Sequence, residues 1–279
     1  MSQVCRSMHW RALGGWLQTV ARLFRQSVLD FLFPPACPAC GQEQSHPSSN
    51  GATAVAEGSR LCEDCLTKSG LDSPITTCPR CAAPIGPYLD NAPLCIHCRT
   101  DRFAFERVYS LGTYERELQT WILRMKHAGN ESLAAGLARE ALTRHEDDWK
   151  ELDLHAVVAV PQHWLDRIPP FPAGTESLAR MIAHGLRLPL LSLRKTTRTP
   201  KQSGLTPTER RRNLKKAFFA RRSRFEGKRI LIVDDVLTTG TTSHEVAVAL
   251  RRAGAEKSWV FAAARGIGEL SQGFPESMN

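Results

Sequence analysis

Residues 229–243 read RILIVDDVLTTGTTS, and this stretch decides the fold that we expect. The run from Ile230 to Val233 is aliphatic and mostly β-branched, which predicts a strand buried on both faces, as in a parallel sheet. Two carboxylates, Asp234 and Asp235, follow at once, and a loop rich in threonine comes next. A helical pattern then continues to Gly254, which predicts the end of that helix. The order of strand, acidic pair, loop and helix is typical of an α/β fold.

The loop after the acidic pair offers backbone N–H groups and hydroxyls at a helix start, which is an arrangement that binds one anion. Its residues are Thr238, Thr239, Gly240, Thr241 and Thr242. The two aspartates would repel phosphate, so they suit sugar hydroxyls or a metal ion. A phosphate site beside a diol site describes a ribose 5-phosphate. The sequence lacks Gly-Lys-Ser/Thr here, which excludes a P-loop; the alternative is a plain strand–helix turn with threonine N-caps.

Other segments alternate between strand and helix patterns. Strands are predicted at 107–111, 155–160 and 259–264, and helices at 118–125, 133–145 and 177–186. Lys126 lies at the end of one helix, just before Gly129. This lysine either reaches a phosphate or is a solvated surface residue, and the sequence leaves both readings open.

Eight of the nine cysteines form four Cys-x-x-Cys pairs. The pairs are Cys37/Cys40, Cys62/Cys65, Cys78/Cys81 and Cys95/Cys98. One pair directs two thiolates at an ion and two pairs complete a tetrahedron, so the eight predict two structural Zn²⁺ sites. A redox role would need one pair beside a strand–helix unit, and disulfides would need export. Pairing the first with the second and the third with the fourth is the simplest connectivity, which the sequence does not prove.

The positive charge of the chain is concentrated in one block. The whole chain has a net charge of +9, whereas residues 194–229 alone contain fourteen Lys and Arg against two acids. Such a block favours an anionic partner, either pyrophosphate or single-stranded DNA, although a solvated charged face is the ordinary alternative. The candidate contacts are Lys201, Arg210, Arg211 and Arg212. Phe218 and Phe219, near its end, are expected in the core.

Residues 1–33 have apolar positions at helical spacing and several arginines, which predicts a basic amphipathic helix packed on its own protein. A membrane surface or a partner is the alternative contact. We find neither an apolar run near the ~20 residues of a membrane span nor a secretory signal. We therefore expect a cytoplasmic protein.

The stretch 229–243 resembles the motif with which type I phosphoribosyltransferases bind 5-phosphoribosyl 1-pyrophosphate (PRPP) together with Mg²⁺. The resemblance implies that Asp234 and Asp235 are catalytic residues that hold the ribose hydroxyls, and that Thr238 to Thr242 hold the 5-phosphate. Lys126 would join this PRPP site. Enzymes that salvage 6-oxopurines commonly have an aspartate where this chain has Thr238, which argues against that substrate class.

The whole chain resembles the ComF family, in which a double zinc ribbon precedes a phosphoribosyltransferase-like domain. The segments that carry the resemblance are LFPPACPACG, LCEDC, CPRC, CIHC, MKHAG, AVVAVPQHW, KQSGLTPTERRRNLKKAF and ILIVDDVLTTGTTS. It implies a type I phosphoribosyltransferase-like parallel sheet flanked by helices. The implied divisions are an N-terminal helix at 1–33, the double zinc ribbon at 34–102, the transferase-like domain at 103–268 and a loose tail at 269–279.

One segment departs from the family pattern. Where the family usually has Arg-Gly-Phe-Asn-Gln, residues 169–176 read PPFPAGTE. The missing polar groups would have faced the pyrophosphate or the acceptor, so turnover stays open while PRPP binding is expected. The resemblance thus leaves a phosphoribosyltransferase with an unknown acceptor, or a non-catalytic protein of DNA uptake in natural competence; a degenerate relative that binds neither ligand is the third reading. The second would bind PRPP or single-stranded DNA and work with a DNA-uptake helicase.

Overall fold

A computed structural model gives the fold of most of the chain. It describes residues 34–44, 60–72, 76–85, 94–95, 98–99, 103–127, 130–161, 174–195 and 217–266. The predicted helix at 1–33, the basic residues from Lys201 to Arg212 and the tail at 269–279 lie outside these ranges. Among the described residues, no helix has both the length and the apolar character that a membrane crossing requires.

Within the described ranges, five parallel strands form the main sheet in the order β1-β7-β6-β2-β3, and β4 pairs with β5 in a small antiparallel sheet. The strands are β1 (Val108–Thr113), β2 (Ala156–Ala159), β3 (Leu190–Leu191), β4 (Arg194–Lys195), β5 (Phe218–Phe219), β6 (Arg229–Leu237) and β7 (Lys257–Arg265). The helices are α1 (Glu63–Ser69), α2 (Arg116–Met125), α3 (Glu131–Arg144), α4 (Glu146–Glu151), α5 (Gly174–Gly185), α6 (Arg222–Phe225) and α7 (Thr241–Arg252). The predicted α/β fold with a parallel sheet is confirmed.

The central strand β6 has apolar side chains on both of its faces because helices cover the sheet on both sides. Leu231 and Val233 pack in the cluster that contains α2, α3 and α5. Ile230 and Ile232 pack in the opposite cluster, which contains α7. Side chains alternate along a strand. Asp234 is therefore on the side of the sheet that α7 covers, and Asp235 is on the side that α2 and α5 cover.

The order of the strands places a crevice at the carboxyl ends of β2 and β6. These two strands are neighbours, but the chain continues from β2 through α5 to β3 and from β6 through α7 to β7, on the opposite side. Ligands of open α/β sheets bind at such a topological switch point. The acidic pair stands at this position.

Several predicted boundaries needed correction. The strand predicted at 230–233 continues to Leu237, so the acidic pair belongs to β6 itself. Phe218 is buried as expected, whereas Phe219 is 55% exposed because the two neighbours of a strand point to opposite sides. Helices α1 and α4 were not predicted; each is short, and α4 is fixed by its buried Trp149.

The first and third cysteine pairs lie in two copies of the same turn, separated by 41 positions along the chain. The Cys37 N–H donates to the Gln42 carbonyl, and the Cys78 N–H donates to the Ala83 carbonyl, each at 2.8 Å. Both turns adopt a left-handed backbone conformation just after the second cysteine, at Gly41 with φ 79° and at Ala82 with φ 54°. The double ribbon is therefore an internal repeat at the level of its hydrogen bonds.

Candidate functional site

The acidic pair is partly closed off from solvent at the end of β6. Asp234 is 9% exposed, and the Asp235 N–H donates a hydrogen bond of 2.9 Å to its Oδ1. The Val236 N–H donates in turn to Asp235 Oδ1 at 2.7 Å. These local bonds fix both carboxyl groups, and they leave oxygens able to accept hydrogen bonds from a diol.

Lys126 lies against this pair, at the C-terminal end of α2. Its Nζ is 2.9 Å from Asp235 Oδ2, and its side chain is 40% exposed. Burial lowers the pKa of Lys126, but the Asp235 carboxylate outweighs burial and leaves that pKa raised. The structure thus places Lys126 beside the acidic pair, and its contact with a phosphate stays a prediction.

Burial is the main influence on Asp234 and raises its pKa well above the ordinary value. The neighbouring Asp235 carboxylate raises it further, while the Asp235 N–H and Lys126 act in the opposite direction. Within the described part of the chain, one buried and one partly buried carboxyl group thus share the cation of Lys126. Hydroxyl donors or an additional cation would stabilise the ionised pair.

The position of Lys126 depends on a close contact between α2 and α5. A Cβ atom on Gly174, the first residue of α5, would lie 2.6 Å from the Met125 carbonyl oxygen. The Asn130 side chain also donates 2.9 Å to the Arg124 carbonyl. The end of α2 is therefore held from two sides, directly before Lys126.

The threonine loop leads from β6 into α7, as predicted. Gly240 is the N-cap of α7 with φ 73°, a left-handed conformation that favours glycine. The hydroxyls of Thr239 and Thr241 are 2.9 Å apart, and the Thr241 N–H points at the Thr239 hydroxyl at 3.4 Å. A helix N-terminus with hydroxyls around it suits a phosphate.

The eight paired cysteines form two compact clusters. The first contains Cys37, Cys40, Cys62 and Cys65, and the second contains Cys78, Cys81, Cys95 and Cys98. The sulfur atoms of each cluster lie within 4.8 Å of one another. The pairing of first with second and third with fourth is confirmed.

The sulfur distances fit a zinc ion. A tetrahedron with Zn–S bonds of about 2.3 Å has edges of about 3.8 Å. The observed separations are 3.8 Å for Cys37 and Cys65, and 3.5 Å for Cys81 and Cys95. All the donors are thiols, so each cluster would hold Zn²⁺ in a closed structural site.

Backbone amides lower the pKa of one thiol in each cluster. Burial raises the pKa of Cys37, but hydrogen bonds led by the Cys62 amide outweigh it and bring that pKa to about 7. The same balance, led by the Cys95 amide, brings the pKa of Cys78 to about 7. Thiolates are the form that binds zinc, so these amides favour the binding form of Cys37 and Cys78, whereas burial raises the pKa of Cys81 to about 11 and raises that of Cys65 as well.

Some predicted site residues are not placed. The basic candidates Lys201, Arg210, Arg211 and Arg212 lie outside the described residues. In contrast, sequence reasoning missed Arg265, which donates to the Thr238 carbonyl, and Phe103, whose ring lies beside Gly240. A signal existed for Arg265 alone, because it is a charged residue directly after the apolar run Phe261–Ala264.

Comparisons with known proteins agree with this geometry. A family model described as "Double zinc ribbon domain" matches residues 28–99, and one described as "Phosphoribosyl transferase domain" matches residues 170–271. The DNA utilization protein YhgH of Salmonella typhi is 30% identical over 192 residues, covering 65% of this chain and 80% of that protein. The chain belongs to the ComF family.

Two further relatives fit the ComF assignment. Competence protein F of Haemophilus influenzae is 27% identical over 195 residues, covering 67% of this chain and 84% of that protein. An amidophosphoribosyltransferase of Escherichia coli is 29% identical over 117 residues, covering 42% of this chain and 21% of the enzyme. The resemblance to the ComF family that the sequence motifs indicated is confirmed.

Proposed function

We propose that this ComF-family chain binds PRPP in the crevice at the ends of β2 and β6 and transfers the phosphoribosyl group to an acceptor. The observation that carries the proposal is the combination of Asp234, Asp235 and Lys126 beside the threonine loop at the start of α7. The loop proposed to bind the phosphate and the two carboxylates proposed to accept from the ribose diol lie in one consecutive stretch, residues 234–242.

Each group has a role that follows from its chemistry. Asp234 and Asp235 accept hydrogen bonds from the ribose 2′- and 3′-hydroxyls, and the amides and hydroxyls of Thr238 to Thr242 hold the 5-phosphate. Lys126 is paired with Asp235 in the free chain, so the arriving diol shares that carboxylate with it. The lysine then adds positive charge beside the phosphorylated ligand.

In the reaction, the bond between C1 of the ribose and the pyrophosphate oxygen breaks, and its electron pair leaves with pyrophosphate. A lone pair of the acceptor forms the new bond to C1, and the acceptor loses a proton. Mg²⁺ bound together with PRPP would supply positive charge for the leaving pyrophosphate. The contribution of the chain is orientation, because fixed hydroxyl and phosphate contacts hold C1 towards the acceptor.

The test is calorimetry with PRPP and Mg²⁺. The wild-type chain binds, and the double variant Asp234→Asn, Asp235→Asn loses at least about tenfold in affinity, which corresponds to ~1.4 kcal/mol. Asp147→Asn is the matched control because Asp147 is exposed on α4. Equal affinity of the double variant and the wild type would refute the proposed site.

A second candidate function is a non-catalytic role in DNA uptake, as a PRPP- or single-stranded-DNA-binding protein. It is favoured by the relatives named competence protein F and DNA utilization protein, and by the basic block at 194–229. A DNA-uptake helicase would be a partner in this role. The paired cysteines form two candidate metal clusters and no disulfides among the described residues, which suits the reducing cytoplasm.

Binding of single-stranded DNA should weaken steeply with salt and weaken further when Arg210, Arg211 and Arg212 are replaced by alanine. Failure to bind such DNA at low salt would refute the DNA-binding role. Release of pyrophosphate from PRPP in the presence of an acceptor would favour the transferase instead.

A further inference from the structure

We propose that Arg265 is a positioning residue that ties the second cysteine cluster to the threonine loop, so that metal in that cluster fixes the geometry of the phosphate cradle. This inference rests on the proposed function for its consequence in PRPP binding. The structural link itself can be measured without PRPP.

Arg265 joins the two regions directly. It is the last residue of β7 and is 8% exposed. Its Nε donates 3.0 Å to the carbonyl of Cys81, a residue of the second cluster. Its Nη1 donates to the carbonyls of Leu237, at 2.7 Å, and of Thr238, where the threonine loop begins. One buried guanidinium thus bridges the backbone of a zinc turn and the backbone of the loop.

A second connection runs parallel to the first. Phe103 packs against the second cysteine cluster, and its ring carbon would lie 3.1 Å from a Cβ on Gly240. Its neighbour Ala104 donates its N–H to Nδ1 of His244, on the first turn of α7, at 3.1 Å. Phe103 and Ala104 therefore lie between the second cluster and the start of α7.

The geometry of the zinc turn depends on its metal. Ala82, which follows Cys81, is buried and has φ 54°, a left-handed conformation that is unfavourable for alanine. Such strain persists where the surroundings enforce it, and four thiolates closed on one ion do so. Without the ion, the turn can relax, and the Cys81 carbonyl moves away from Arg265.

The first cysteine cluster provides an internal comparison. Among the described residues, its knuckle is held by α2 rather than by the loop: Arg124 donates 2.6 Å to the Ala39 carbonyl and 3.4 Å to the Pro38 carbonyl. Loss of the first metal should therefore affect the end of α2, and loss of the second should affect the threonine loop. Amide exchange of the threonine loop therefore distinguishes the two clusters, because only loss of the second metal should change it.

The first experiment is amide hydrogen exchange of the full-length zinc-loaded chain without PRPP. In Cys98→Ser, the amides of 237–243 should exchange at least about tenfold faster than in the wild type, since this ratio reports loss of local protection. In Cys40→Ser, those amides should keep the wild-type rate. Equal effects of the two variants, or no effect of Cys98→Ser, would overturn the proposed link.

The second experiment tests Arg265 itself, because a cysteine variant can disturb the whole ribbon. Arg265→Lys keeps a positive charge but cannot reach both backbones, and Arg252→Lys on the exposed end of α7 is the control. The zinc content should stay at the wild-type value in both. Exchange of 237–243 should rise in Arg265→Lys alone, and wild-type exchange there would refute the role of Arg265.

A third measurement tests whether PRPP binding slows the loss of zinc from the second cluster. With PRPP and Mg²⁺ present, a zinc-selective chelator should remove the second zinc more slowly from the wild type, because a ligand that holds the loop also holds the turn. In Arg265→Lys this protection should disappear. Protection that persists in Arg265→Lys would contradict the inference. A wild type that does not bind PRPP but still shows the exchange effect would refute the proposed function and leave the link standing.

Discussion

Replacement of Asp234 by asparagine is expected to stabilise the folded chain while it weakens PRPP binding. Asparagine has the same shape, and its Oδ1 can still accept the Asp235 N–H bond, which is 2.9 Å long. The substitution therefore removes the charge and replaces the second carboxylate oxygen by an NH2 donor. That charge is 9% exposed and stands beside another carboxylate, so folding has to bury it in an unfavourable place.

The pKa of Asp234 determines whether the substitution raises or lowers the free energy of unfolding. Burial and the Asp235 carboxylate raise the pKa in the folded chain above its ordinary value of 3.8, so the folded chain binds this proton more tightly than the unfolded chain does. The folded wild type therefore loses stability as pH rises from the ordinary value through the raised pKa. Asp234→Asn escapes this loss, and above the raised pKa we expect a gain of ~1–3 kcal/mol.

The assay is urea unfolding at several pH values from about 5.5 to about 9, with Asp147→Asn as the surface control. The gain of Asp234→Asn should grow with pH, and the control should stay within ~0.5 kcal/mol of wild type. A variant that is less stable than the wild type at the alkaline end, or a gain that does not change with pH, would show that Asp234 is not an unfavourably buried acid.

Three further predictions concern the walls of the crevice and the metal. Lys126→Met leaves Asp235 without its cation and should lower the free energy of unfolding more than Lys150→Met, which breaks a largely solvent-exposed ion pair; equal losses in urea would contradict this. Gly174→Ala forces the Met125 carbonyl to move, so it should lose ~1–3 kcal/mol in urea and weaken PRPP binding by calorimetry. Metal analysis should find two zinc ions per chain, and one or none would overturn the two-cluster assignment.

Much of the site could be predicted because its parts are local in sequence. The aliphatic run, the acidic pair and the threonine loop are consecutive, so one stretch predicts the strand, its two carboxylates and the loop at the helix start. The cysteine spacing fixed the number of clusters in the same way.

The contacts between distant segments could not be predicted in this manner. Lys126 and Asp235 are more than a hundred positions apart, and only the packing of α2 beside β6 brings them to 2.9 Å. The need for glycine at position 174 arises from the Met125 carbonyl, which no local pattern reveals. The bond from Arg265 to Cys81 depends on how the second ribbon packs on the sheet.

The two cysteine clusters contact different elements beside the acidic pair, and this affects how the proposed role in DNA uptake can be tested. Arg124 contacts the first knuckle two residues before Lys126, and Arg265 contacts the second knuckle together with the Thr238 carbonyl. Loss of a zinc ligand would therefore disturb PRPP binding even if the ribbons never touched DNA. An uptake defect in a cysteine variant becomes evidence for DNA contact only when PRPP affinity in that variant is unchanged. Since the second cluster is bonded to the loop, that condition is easier to meet at the ligand Cys40 than at Cys98.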